Sequence, residues 1–224
     1  MHRRDLTLLC LLALTASIAL TASPAQAEDD LEHEGYALDA LPRRVDTSGP
    51  MRCPEVALIP YAGTALIWKK ELKVHPDFAK RLAQFEAVAR SIATRIYGRA
   101  PARIAHLGSY NCRRIRRYPD LLSEHGIGNA IDISAFEFAA LTKAERKTST
   151  LPKALQRSFS ASILSHWDSP DDARATGYHR RFLRELAAEL ERRPDIFRVL
   201  LGPAYPGHKD HFHFDCAPYR LVVL

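Results

Sequence analysis

Two short segments that combine histidine with aspartate place the strongest constraint on how this chain folds. The later segment, residues 208–215, has the alternating character of a β-strand. The strand period of two places His211, His213 and Asp215 on one face and two phenylalanines on the other. Aromatic side chains packed into a core would hold the polar face rigidly, as a metal site requires.

The earlier segment, residues 123–132, has His125 and Asp132 seven positions apart. A helix would place both side chains on one face, but Gly126 and Gly128 disfavour a helix. A turn that leads into a strand is the better interpretation, because it lets His125 in the turn and Asp132 on the strand converge on one point.

Together the two segments supply two imidazole nitrogens and one carboxylate oxygen. Three protein ligands with a fourth position left for water are typical of catalytic zinc sites, whereas structural zinc sites usually have four protein ligands. Zinc lowers the pKa of a bound water to about 7, which makes a nucleophile available at neutral pH. A single buried histidine is more often a hydrogen-bonded core residue, and His-x-His alone is a weak signal. The joint occurrence of both segments therefore predicts a zinc site.

The first 27 residues have the pattern of an export signal. Arg3 and Arg4 precede an apolar run over residues 6–22, and the small residues Ala25 and Ala27 follow it. We therefore expect cleavage after Ala27 and a protein located in the periplasm or outside the cell. The alternative is an uncleaved membrane anchor, because the run approaches the length of a short membrane span. No later segment is apolar enough to cross a membrane, so the rest is expected to be peripheral to a membrane at most.

Three cysteines remain after that cleavage: Cys53, Cys112 and Cys216. In an oxidising compartment an odd number predicts one disulfide and one free thiol, with the pairing left open. No two of them have the close spacing of a cysteine zinc site. The formal net charge of +6 suits an anionic cell-wall polymer without requiring one, and we expect no nucleic-acid partner.

The remaining chain has the size of one domain, which we place at residues 51–224, after a linker at residues 28–50 that lacks hydrophobic periodicity. Strands and helices follow no strict alternation, so we predict an α+β fold with a small antiparallel sheet and flanking helices. We expect a monomer. Residues 139–175, polar and rich in serine and threonine, are interpreted as an insertion over the domain surface. The predicted helices cover residues 76–97 and 178–193, and the predicted strands cover residues 103–107, 128–138, 197–201 and 211–215.

The pattern Ser-x-His-x-x-Gly-x-Ala-x-Asp, followed later by His-x-His, resembles the signature of the LAS zinc peptidases. This group includes D-alanyl-D-alanine carboxypeptidases and dipeptidases, murein endopeptidases and the hedgehog signalling domain, and the resemblance implies their fold. Within the group the chain most resembles the bacterial extensin-like C-terminal domain family, with similarity over roughly residues 53–219. The blocks that carry the resemblance are residues 108–113, 123–132, 201–203 and 208–215.

The resemblance implies three zinc ligands from the two segments: His125, Asp132 and His213. It makes His211 a neighbour of the metal that orients or contacts the substrate. Many of these peptidases have a glutamate as general base three residues before the last ligand, and this chain has Asp210 there, one methylene shorter. Relatives of the murein endopeptidase type rely on histidines instead, which His208 and His211 match. Glu124 is a poorer candidate for the base, because a residue next to a ligand in a tight turn often points to solvent.

The resemblance also assigns residues to substrate binding. Arg113 matches an arginine that lies near the substrate carbonyl or carboxylate in the carboxypeptidase relatives. A fixed guanidinium suits both a terminal carboxylate and a developing oxyanion. The alternative for Arg113 is a solvated residue in an arginine-rich run. Tyr110 and Ser123, which lie in the matching blocks, are assigned to substrate binding as well.

The resemblance and the export signal together predict a zinc-dependent, peptidase-like hydrolase that acts on peptide bonds of peptidoglycan. It would be of the D,D-carboxypeptidase or endopeptidase type. The first alternative is a catalytically weak or inactive wall-binding module that keeps the metal, because Asp210 stands where many relatives have glutamate. The second is a metal-dependent phosphoesterase, which the lack of a glycine-rich phosphate-binding motif disfavours.

Overall fold

The structure, a computed structural model, describes residues 35–224 of the chain. The predicted export signal at residues 1–27 and the start of the predicted linker lie outside the described residues. The described part has the predicted α+β architecture, with a six-stranded sheet, two small two-stranded sheets and several helices. Within it, no helix combines the length and the apolar character needed to cross a membrane.

The helices are α1 (Pro76–Tyr97), α2 (Lys143–Thr148), α3 (Ile163–His166) and α4 (Ala175–Glu191), with 3₁₀ turns at Ala37–Ala40, Glu124–Ile127 and Lys153–Gln156. The strands are β1 (Ile59–Tyr61), β2 (Leu72–Val74), β3 (Arg103–Gly108), β4 (Arg114–Ile115), β5 (Tyr118–Leu122), β6 (Ala130–Phe138), β7 (Phe159–Ser162), β8 (Val199–Leu201), β9 (Phe212–Asp215) and β10 (Leu221–Val223).

Helix α1 has the bounds that the sequence predicts, because both of its ends carry local signals. Pro76 occupies the first turn, where its missing N–H is not needed. The His75 imidazole caps the helix by accepting a hydrogen bond from the N–H of Asp77 at 3.2 Å. Gly98 ends it in the left-handed conformation, with φ of 68°.

The large sheet brings the two histidine-containing segments side by side. Strand β9 pairs antiparallel with β6 on one side and with β8 on the other. Strand β3 lies along the opposite edge of β6, and β7 pairs with the C-terminal end of β6. At the sheet edge, β10 pairs with β8 in the parallel direction, so the prediction of an antiparallel sheet is wrong for this strand.

One face of the sheet forms the hydrophobic core together with α1 and α4. The ring of Phe85 in α1 contacts Phe136 of β6 and Phe214 of β9, with centroids 6.4 and 6.1 Å apart. Phe182 of α4 packs edge-on against Phe136 at 5.0 Å. Because strand side chains alternate, His213, next to Phe214 in β9, points to the opposite face. The helices therefore cover one face and leave the other to the polar residues.

Residues 139–175 are not only a surface insertion, because they add a strand to the large sheet and a few side chains to the core. Strand β7 pairs with β6, and Ala161 within it is fully buried. Trp167, just after α3, is 4% exposed and packs against Phe212 of β9 with centroids 5.2 Å apart. The apolar residues of this stretch are divided among several short elements, so no helical or strand period develops along the sequence.

The described part of the predicted linker from Tyr36 onward belongs to the same compact unit as the rest of the domain, which covers Tyr36–Leu224. Leu38 is 2% exposed and joins a small apolar cluster. The backbone bonds to the end of β5: the Leu122 N–H donates to the Arg43 carbonyl at 2.8 Å, and the Val45 N–H donates to Asp120 at 2.9 Å. A single buried leucine and a few backbone hydrogen bonds produce no periodic pattern of apolar residues, so the sequence does not reveal these contacts.

The disulfide joins Cys53 to Cys112, whose Cα atoms are 5.8 Å apart. Cys216 is the free cysteine, and it is buried with its sulfur 3.3 Å from the Ile196 carbonyl oxygen. The prediction of one disulfide and one free thiol is therefore confirmed, and the structure resolves the pairing. Burial raises the pKa of the Cys216 thiol to about 12, so it stays protonated and unreactive.

Candidate metal centre

The candidate ligands come from two paired strands and the turn before one of them. Strands β6 and β9 pair in a register that places Asp132 directly opposite His213. His125 lies in the 3₁₀ turn Glu124–Ile127, which precedes β6 by two residues. Gly128 ends this turn in the left-handed conformation, with φ of 64°. The local structure is thus a turn that leads into a strand, and it directs His125 and Asp132 to the point that His213 reaches from β9.

Three ligand atoms converge there: His125 Nε2, Asp132 Oδ1 and His213 Nδ1. The aspartate oxygen is 3.2 Å from His125 Nε2 and 2.9 Å from His213 Nδ1, and the two nitrogens are 3.2 Å apart. Zinc binds such atoms at about 2.0–2.2 Å, so tetrahedral geometry separates the ligand atoms by about 3.3 Å. The observed triangle is close to that size. Within residues 35–224, this is the one group of three such side chains close enough together to bind an ion.

A hydrogen-bond acceptor fixes the outer nitrogen of each histidine. His125 Nδ1 donates to the Ser109 carbonyl at 3.1 Å, and His213 Nε2 donates to Asp215 Oδ2 at 2.7 Å. With those protons in place, both inner nitrogens are acceptors that face the Asp132 carboxylate. Three converging acceptors require a cation, and zinc-binding histidines are typically oriented by outer partners of this kind. The side chains present therefore fit a zinc ion.

In the metal-free protein, a proton on His213 supplies part of the positive charge that the three acceptors require. Burial by itself lowers the pKa of His213, but hydrogen bonds to Asp132 and Asp215 and their charges outweigh burial and raise it to about 9. Burial of Asp132 is likewise outweighed by its contacts with His125 and His213, which hold the pKa of this carboxyl well below its usual range. At neutral pH a metal ion must displace the His213 proton, so its affinity rises with pH.

The three predicted catalytic residues lie at the margin of the triangle, and His211 is the nearest. His211 Nε2 is 3.8 Å from Asp132 Oδ1, while its Nδ1 donates to Asp210 Oδ1 at 2.8 Å. Asp210 is 55% exposed, and the hydrogen bond from His211 lowers its pKa. The ring of His208 lies 4.8 Å from His211 and 5.7 Å from His213 between centroids. Burial, with those two histidines nearby, lowers the pKa of His208 to about 4.

The predicted substrate-binding residues differ in exposure. Arg113 is exposed, and Tyr110 is 40% exposed with the Lys73 ammonium 5.2 Å above its ring. Ser123 is buried at the start of the turn, and its backbone N–H donates to the Arg113 carbonyl at 3.1 Å. Arg113 and Tyr110 are therefore accessible to a polymer, whereas Ser123 helps to hold the turn.

Glu124 is buried, so the expectation that it points to solvent is wrong. Both of its carboxylate oxygens accept from Arg43, at 2.7 and 3.1 Å. Asn129 also donates to Glu124 at 2.6 Å, and its own amide oxygen accepts from the Tyr36 hydroxyl. Burial raises the pKa of Glu124, and the hydrogen bond from Arg43 opposes this. This network supports the His125 turn from beneath, and the sequence offered no sign of the distant partners Arg43 and Tyr36.

Asp215 is the second residue whose role sequence reasoning missed. The strand period placed it on the same face as His213, and the structure shows it as the acceptor for the outer nitrogen of that histidine. Its other oxygen accepts from the Ala217 N–H at 2.8 Å, which fixes the carboxylate. The position two residues after a candidate ligand on a strand was the available signal.

Comparison with known families gives one match, to a family described as extensin-like protein C-terminus, over residues 25–169. The matched range includes His125 and Asp132 and ends before β9, which carries His213. Searches of curated proteins and of solved structures gave no significant match. Because the match covers more than half of the 224 residues, the chain belongs to the extensin-like protein C-terminus family.

Proposed function

We propose that this protein is a zinc-dependent hydrolase that cleaves peptide bonds in peptidoglycan. The observation that carries the proposal is the convergence of three buried or half-buried acceptor atoms whose outer partners are already fixed. Two histidines and one carboxylate leave a coordination position for water, as in catalytic zinc sites. When bound, zinc would supply Lewis acidity for water and for the substrate carbonyl.

His211 is the residue best suited to move the proton. Because its Nδ1 donates to Asp210, Nε2 is left as an acceptor on the side of the ring nearer Asp132. It can take a proton from the attacking water and return it to the leaving amine. Asp210 then acts as a positioning residue for His211. His208, whose pKa is lowered to about 4, is neutral near pH 7 and is suited to a hydrogen bond with the substrate.

Exposed arginines at and after Arg113 suit an anionic substrate. Arg113, Arg116 and Arg117 are exposed, and none of them forms an ion pair with a residue in the described part of the chain. Asp120, in the β5 strand of the same hairpin, pairs with Arg44 instead, at 2.9 Å. Free guanidinium groups bind carboxylates in bidentate fashion, and the stem peptides of peptidoglycan carry carboxylates.

The finer assignment to the LAS zinc peptidases rests on the sequence resemblance. The pattern of ligands agrees with that group, whose carboxypeptidases and murein endopeptidases act on peptide bonds of the cell wall. The export signal predicted at residues 1–27 would deliver the protein to that polymer. We therefore propose an exported protein of the D,D-carboxypeptidase or endopeptidase type.

The test is digestion of purified sacculi by the zinc-loaded protein, with released D-amino acids and peptides measured by mass spectrometry. We expect release that chelation abolishes and that a His125→Ala/His213→Ala variant lacks. His211→Gln should lower kcat by roughly 100-fold or more while His208→Gln mainly raises KM, because general base catalysis contributes about 10²–10⁴-fold. Equal product from the double ligand variant and from the wild type would refute a metal-dependent reaction.

A second candidate, a wall-binding module without turnover, is favoured by one observation. Asp210, at the position of the usual glutamate base, contacts His211 and is more than half exposed. If His211 cannot replace that base, the site binds metal without hydrolysing the polymer. Retention on sacculi with no product after prolonged incubation with zinc would favour this function.

A further inference from the structure

The turn that carries His125 is held by one irregular segment, residues 109–113. The Ser109 carbonyl accepts from His125 Nδ1 at 3.1 Å, and the Asn111 N–H donates to the His125 carbonyl at 3.1 Å. The Arg113 carbonyl accepts from the Ser123 N–H, also at 3.1 Å. Alternate residues of the segment thus contact the turn, and the first of them orients the imidazole directly.

Ser109 is buried and bonded through its hydroxyl to the backbone of Lys73, but the rest of the segment has little support of its own. It belongs to no strand or helix between the end of β3 and the start of β4, and residues 110–113 are exposed. Cys112 lies in its middle and is joined to Cys53. The disulfide is therefore the covalent anchor of the segment that positions His125.

The disulfide also touches the turn directly. A Cβ atom added to Gly126, the residue after His125, would lie 2.8 Å from Cys53 Sγ and 2.8 Å from a methyl group of Leu122. The sulfur therefore packs against the Gly126 backbone, and the absence of a side chain there permits this close approach. The turn is enclosed by the segment, the sulfur and Leu122.

We propose that the Cys53–Cys112 disulfide is a positioning element of the metal centre, so that metal affinity depends on the oxidised state of this pair. The inference rests on the zinc site of the proposed function. Reduction by a dithiol breaks the S–S bond, adds two electrons and two protons to give two thiols, and oxidises the reductant to its own disulfide. The freed residues 110–113 then no longer hold the turn through Asn111 and Arg113, so His125 shifts relative to the Ser109 carbonyl, which Lys73 keeps in place. Loss of such an outer partner lowers metal affinity by roughly 10–100-fold.

The test compares zinc dissociation constants, measured by competition with a chelator, for the wild type and a Cys53→Ala/Cys112→Ala variant. Alanine avoids new thiols that would bind zinc themselves. Circular dichroism establishes that each protein is folded at the assay temperature. A matched control is Leu190→Ala, which weakens the α4 core on the opposite face of the sheet. It should lower stability and leave zinc affinity unchanged.

We expect roughly 10–100-fold weaker zinc binding by the cysteine variant alone. Gly126→Ala keeps the disulfide but forces the turn away from Cys53 and Leu122, and it should weaken zinc binding as well, which covers the case of a cysteine variant that does not fold. Wild-type affinity in either folded variant would overturn the inference and leave the proposed function intact. Failure of the wild type itself to bind zinc would overturn both.

Discussion

Replacing Arg43 by alanine should be among the most damaging changes outside the core, because it leaves a buried carboxylate without its cation. The side chains of Arg43 and Glu124 are only 11% and 5% exposed, and both carboxylate oxygens accept from the guanidinium. Arg43 also donates to the carbonyls of Leu38 and Leu41, at 2.6 Å each. Removal of one partner from a buried ion pair typically costs about 3–5 kcal/mol.

The neighbouring residue offers a matched control. Arg44 pairs with Asp120 at 2.9 Å, but these side chains are 84% and 47% exposed. Exposed ion pairs contribute at most about 1 kcal/mol, so Arg44→Ala should change the free energy of unfolding by no more than that. Urea unfolding followed by circular dichroism measures both variants. A loss below about 1 kcal/mol for Arg43→Ala would refute the reasoning that Glu124 depends on this cation.

The pH dependence of the Arg43→Ala variant provides a further check. Burial raises the pKa of Glu124, and Arg43 opposes that effect, so its removal should raise the pKa further. A carboxyl with a raised pKa in the folded state stabilises the fold when protonated, and that stability is lost as the pH rises. The variant should therefore lose less stability at about pH 5 than at about pH 8 relative to the wild type. An equal loss at both values would contradict the assignment.

Three further predictions follow from the same geometry. Gly128→Ala should destabilise the protein by about 2 kcal/mol or more, because φ is positive there and an added Cβ would lie 2.8 Å from the backbone nitrogen of His75. Gly108→Ala, with open space around it, is the control and should destabilise the protein far less in thermal unfolding. In the metal-free protein, the stability due to the raised pKa of His213 should be lost as the pH rises from about 6.5 to about 9. The stability due to the lowered pKa of Asp132 should be lost as the pH falls below about 4. A free energy of unfolding in urea that does not change with pH would contradict both. Asp215→Asn should weaken zinc binding by roughly 10–100-fold at about pH 9. The two carboxylate oxygens accept separately from His213 and from the Ala217 N–H, and an amide has only one oxygen to replace them. Unchanged zinc affinity would exclude an orienting role for Asp215.

Features with local signals were predictable from the sequence. Helix α1 has a proline at its start, a glycine after its end and apolar residues at helical spacing, and its observed bounds agree with the prediction. The convergence of His125 and Asp132 followed from glycines that exclude a helix. The inclusion of His213 with them was implied by the resemblance to a known family, and the structure shows the pairing of β6 with β9 that brings it there.

Features that depend on distant contacts were not predictable. Arg43 reaches Glu124 across 81 positions in the chain, and nothing in the sequence near either residue marks the pair. Strand β7 has four residues, two of them serine, so its own residue pattern does not predict a strand. Its place in the sheet depends on pairing with residues 135–138 of β6. The rotation of His211 toward Asp210 is a side-chain property that strand periodicity cannot specify.

Zinc binding by the purified protein tests the central claim most directly. Metal analysis and chelator competition near pH 8 should give one zinc ion per chain for the wild type. Asp132→Ala and His213→Ala should each abolish this binding, while His166→Ala, outside the triangle, should retain it. A wild-type protein that binds no zinc, or an Asp132→Ala variant that binds it with unchanged affinity, would contradict the account.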